Sequence, residues 1–89
     1  MTVYLFANGS LILFTEAELE RLTSLALRCA SEEDPIGPAR ELVLFSEGIG
    51  AQRATLAVPN HWLWTRPEWI NDIDEAFADA GIEMDWIWR

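Results

Sequence analysis

The spacing of apolar positions divides the chain into short segments of changing period. Val3–Ala7 and Leu11–Phe14 are apolar runs on either side of Asn8-Gly9, the dipeptide that favours a two-residue hairpin turn. From Thr15 the period becomes helical. Leu19, Leu22, Leu25, Ala26, Cys29 and Ala30 share one face, with Thr15 and Glu18 placed as a capping box. Ser31–Ala39, which holds Pro35, Gly37 and Pro38, predicts a loop with Glu32-Glu33-Asp34 at its tip. Leu42–Ser46 and Ala51–Val58, joined by a turn at Glu47–Gly50, predict a second antiparallel strand pair. Pro59-Asn60 ends that pair, and His61–Trp64 leads into the next element as extended chain.

A second helix follows. Thr65 suits its N-cap, Pro67 its first turn and Glu68 the capping-box position, while Gly81 closes it. Trp69, Ile70, Ile73, Ala76, Phe77 and Ala80 fall within an arc of about 120°, the width of a core-facing stripe. Beyond Gly81, Ile82, Met84, Trp86 and Trp88 alternate with Glu83, Asp85, Ile87 and Arg89, which predicts a half-buried strand.

These elements predict a single α+β domain over residues 1–89, in the order β-β-α-β-β-α-β. A mostly antiparallel sheet would carry two helices on one face. Without its first strand the order is βαββαβ, the ferredoxin-like arrangement. There the strand before the first helix is central and already has two neighbours, yet the Asn-Gly hairpin asks it to pair with Val3–Ala7 as well. Val3–Ala7, Leu11–Phe14 and Leu42–Phe45 are also apolar on both faces, which implies cover on both sides of the sheet. Two covers are open: the Trp62–Trp64 segment, or a second copy of the chain in a homodimer.

Charge narrows the function classes. Fifteen acidic residues stand against six basic ones, a formal net charge of −9. That balance disfavours direct nucleic-acid binding, which needs Lys and Arg to displace counterions, and it disfavours anionic membrane surfaces. The balance suits a basic protein partner. The acids concentrate usefully: Glu68, Asp72, Glu75 and Asp79 fall within an arc of about 60° on the second helix, at spacings of 4, 3 and 4. Such neighbours repel by about 0.2–0.5 kcal/mol per pair, with no cation on the helix to offset them. A solvated face accounts for this row, and so does a docking face for a basic partner. All five tryptophans lie between His61 and Arg89. In extended chain Trp62 and Trp64 share one side, as do Trp86 and Trp88. Four indoles suit a core, or an aromatic anchor at an interface.

Catalytic and metal chemistry find little support. One histidine, His61, and one cysteine, Cys29, cannot by themselves furnish a zinc site. Asp72-x-Asp74 opens like a calcium loop, but Ala76 and Ala78 follow where further ligands belong. Gly48-x-Gly50 is followed by Arg53 and a strand, as in a hairpin and unlike a nucleotide loop. No basic leader precedes the apolar start and no run approaches a membrane span, so cytoplasmic residence without membrane insertion is expected. The sequence thus predicts a small, acidic, non-enzymatic binding module of the inhibitor, antitoxin or adaptor type, with no cofactor or metal. It would dock a basic protein surface through Glu68, Asp72, Glu75, Asp79, Trp62, Trp64, Trp86 and Trp88, with mimicry of nucleic-acid charge as one version. The alternatives are a self-associating assembly subunit, or a small-ligand-binding or catalytic domain that uses His61 and the tryptophan cluster.

Overall fold

The computed structural model describes residues 1–31 and 36–89; the Glu32-Glu33-Asp34 tip and Pro35 lie outside the described residues. The elements are β1 (Thr2–Ala7), β2 (Ser10–Leu11), α1 (Glu16–Ser31), α2 (Ile36–Gly48), β3 (Arg53–Val58), α3 (Trp62–Thr65), α4 (Pro67–Asp79) and β4 (Glu83–Trp88). The fold is α+β. A four-stranded mixed sheet runs in the order β2-β1-β3-β4. The pairs β1–β2 and β1–β3 are antiparallel, and β3–β4 is parallel.

The Asn-Gly hairpin forms as its residues require. Asn8 and Gly9 both take positive φ, 54° and 76°, the backbone of a type I′ turn, and Ala7 pairs with Ser10. This places β2 at a sheet edge and frees the strand before α1 from the crowding that a central place would impose. The capping box also forms. The Thr15 amide donates to Glu18 Oε1 and the Glu18 amide to Thr15 Oγ1, at 2.8 and 3.2 Å.

One expected strand is a helix. Leu42–Ser46, read as extended, lies inside α2, and Ile36–Ala39, read as loop, forms its first turn. The reason is spacing: Leu42, Val43 and Ser46 are buried 3, 4 and 7 residues beyond the buried Ala39, a helical stripe. Leu42 is fully buried while Leu44 is 67% exposed, whereas a strand would set both on one face. The buried Ser46 hydroxyl donates to the Leu42 carbonyl at 2.8 Å, which satisfies it within the helix.

The second expected capping box does not form. Arg66 takes the N-cap of α4 without a side-chain cap bond, because Thr65 closes α3 and its hydroxyl donates to the His61 carbonyl. Pro67 still occupies the first turn. At the other end Gly81 (φ 75°) lets its own amide reach Ala78 O and the Ile82 amide reach Phe77 O, the paired bonds of a Schellman stop.

The core lies between the sheet and the helices. Val3 and Leu5 of β1 and Ala54, Leu56 and Val58 of β3 meet Leu22 and Leu25 of α1, Leu42 of α2, Trp62 of α3 and Ile73 and Phe77 of α4. The helices therefore gather on one face, as expected, though four are described where two were read. The other face carries Tyr4, Phe6, Leu11, Thr55, Ala57 and Ile87 on alternate positions, none of them part of that core cluster. The Trp62–Trp64 segment does not cover this second face, since Trp62 packs into the helix-side core.

Candidate interaction surface

Glu68, Asp72, Glu75 and Asp79 are all exposed on α4, and the helix displays them as one row. Asp72, Glu75 and Asp79 also border a groove between α4 and α2. Ile36 lies at one end of that groove, Val43, Leu44, Glu47 and Ala80 at the other, and Arg40 and Ala76 line both. Its apolar lining comes from Ile36, Val43, Leu44, Ala76 and Ala80; α4 contributes three carboxylates and α2 one, Glu47. Arg40 is the cation within it. The sequence conceals this residue's place, because the segment reads as a loop followed by a strand. The 3-4-7 stripe of α2 is the signal that finds it: once Ala39 and Leu42 face the core, Arg40, Leu44 and Glu47 must face outward.

The tryptophans part company. Trp62 is 2% exposed and sits edge-on to Trp69, with ring centroids 5.7 Å apart. Arg66 lies over both rings, at 5.3 and 4.3 Å, and donates to Ala30 O at 3.2 Å. Trp62 is thus part of the core and leaves the set of residues that can meet a partner. Trp64 is 70% exposed on α3. Trp86 and Trp88 stack in parallel at 5.5 Å, half-buried on the outer strand β4. Trp86 Nε1 donates to Asp74 Oδ1 at 3.2 Å.

The acidic row and the stacked pair stand on opposite flanks of α4. Asp74, which holds Trp86, is about 200° round the helix from Asp72, so the α2–α4 groove does not include the indoles. His61 is exposed at the start of α3. Among the described residues no group of three or more His, Cys, Asp or Glu side chains is placed to hold a metal ion, and no helix is long and apolar enough to cross a membrane. Compared with known proteins, the chain matches no family model, no curated protein and no solved structure.

Proposed function

We propose that this chain is a small, acidic, non-enzymatic binding module that docks a basic protein surface on its α2–α4 face. The observation that carries this reading is the groove itself: an apolar lining of Val43, Leu44, Ala76 and Ala80, with Arg40 along its length, beside Glu47 of α2 and Asp72, Glu75 and Asp79 of α4, so that carboxylates outnumber cations four to one. Such a trough matches a basic amphipathic segment, whose apolar stripe meets the lining and whose cations meet the carboxylates. The inhibitor, antitoxin and adaptor classes share this chemistry, and a row of carboxylates standing in for phosphates is compatible with it.

The double variant Asp72→Lys/Asp79→Lys tests it. Three like-charge neighbours along α4 become attractive, worth about 1 kcal/mol together, but Arg40 across the groove loses two acidic neighbours. Stability should therefore stay within about 1 kcal/mol of wild type, with the fold kept. Affinity capture from source-cell lysate should recover a basic protein on the wild type, lose it as salt rises, and lose it on the variant at all salt concentrations. A variant that folds and keeps the same capture moves the site away from this groove.

A further inference from the structure

Strand β4 is the last strand of the sheet and has β3 on one side only. Its odd-numbered residues hold that contact: the Glu83 amide donates to Gln52 O, and the Arg89 amide to Val58 O, at 3.1 and 3.0 Å. In a parallel ladder the residues between them turn both backbone groups the other way. The N–H and C=O groups of Met84, Trp86 and Trp88 therefore line an open edge. An edge six residues long with no second strand beside it among the described residues is a template for pairing.

We propose that the occupant of this edge is a second copy of the chain, paired β4 to β4 antiparallel about a twofold axis through Trp86, so that two four-stranded sheets become one of eight. This inference is independent of the α2–α4 reading. Three observations select the register. First, antiparallel partners share a face, so the register can shift only in steps of two. Centring on Trp86 sets Trp86 opposite its own copy and Met84 opposite Trp88, which uses all three outward residues as hydrogen-bonded pairs. A centre on Ile87 uses only Trp86 and Trp88, and a centre on Asp85 sets two like charges side by side.

Second, the Trp86 centre places Glu83 of each copy opposite Arg89 of the other. The edge is charge-complementary to itself, on a chain whose net charge is −9. Asp85 faces Arg53 within its own sheet, at 3.4 Å, and in this register stands opposite the partner copy's Ile87. Third, the same register sets the indole of Trp88 beside the partner's Met84, which with Asp74, Ala78, Gly81 and Ile82 lines an open cleft between α4 and β4. The half-buried Trp86–Trp88 stack gains its missing cover there.

Sedimentation equilibrium with charge-swapped variants tests the proposal. The wild-type mass should rise from 10.1 kDa toward twice that value with concentration. Arg89→Glu turns two cross-strand attractions into repulsions and should weaken the dimer by roughly tenfold or more. Glu83→Arg/Arg89→Glu restores opposite charges and should recover most of that loss. In the wild type, amide exchange at Met84, Trp86 and Trp88 should slow as concentration rises, a readout that holds even where the double swap disturbs the fold. A constant mass near 10.1 kDa, unchanged exchange at those amides, or a dimer indifferent to Arg89→Glu overturns it.

Discussion

The chain contains the unit Trp-x-Trp twice, and the two copies meet opposite fates. Trp86 and Trp88 lie in β4, where a period of two puts both on one face, and their rings stack within 6° of parallel. Trp62 and Trp64 lie in α3, where two residues span about 200°; one is buried and the other is exposed. Identical spacing therefore means adjacency in one element and separation in the other. Of the four indoles, Trp62 lies in the core, Trp86 and Trp88 are half-buried against it, and Trp64 is exposed.

The sharpest way to break this comparison is to truncate each member of the α3 pair. Trp62 fills the core beside Trp69 and under Arg66, so Trp62→Ala should cost about 3–5 kcal/mol. Trp64→Ala should stay within about 0.5 kcal/mol. Urea denaturation of both variants decides it, and equal losses would mean that the segment is extended. The same contrast extends to Leu42 and Leu44, the pair that a strand would place together. Leu42→Ala should cost about 2–5 kcal/mol and Leu44→Ala little. A large loss at Leu44 would return this segment to the sheet.

What was legible in the sequence is what is decided locally. Asn8-Gly9, the Thr15–Glu18 box, the Gly81 stop and the alternation of β4 each depend on a few adjacent residues, and each appears as read. The misreadings share a different cause. Leu42–Phe45 is a continuous apolar run, which periodicity cannot divide between buried strand and helix; the buried Ala39 and Ser46 beyond its ends settle it. Thr65 has the composition of an N-cap, but a four-residue helix ends on it and takes its hydroxyl first. The acidic row was legible because one helix carries it all. The groove was not, because Arg40 and Glu47 reach it through tertiary packing of α2 on α4.

The smallest expected effect sharpens the comparison from the β4 side. Trp86 differs from Trp88 in its indole bond to Asp74, which fastens the stacked pair to α4. Trp86→Phe keeps an aromatic ring at the site but removes the donor, and the hydrogen bond joins exposed groups. The loss should therefore be about 0.5–1.5 kcal/mol, the net worth of one such bond. Asp74→Asn keeps an acceptor oxygen for the indole and removes a charge from an acidic helix, so it should cost less than Trp86→Phe. If the bond alone fastens the pair, the double variant should lose no more than Trp86→Phe does, because both changes act on one contact. Urea midpoints of the two single variants and the double give the cycle. Additive losses would mean that Trp86 is held by its stacking on Trp88 alone, and that β4 owes its position to the sheet and not to α4.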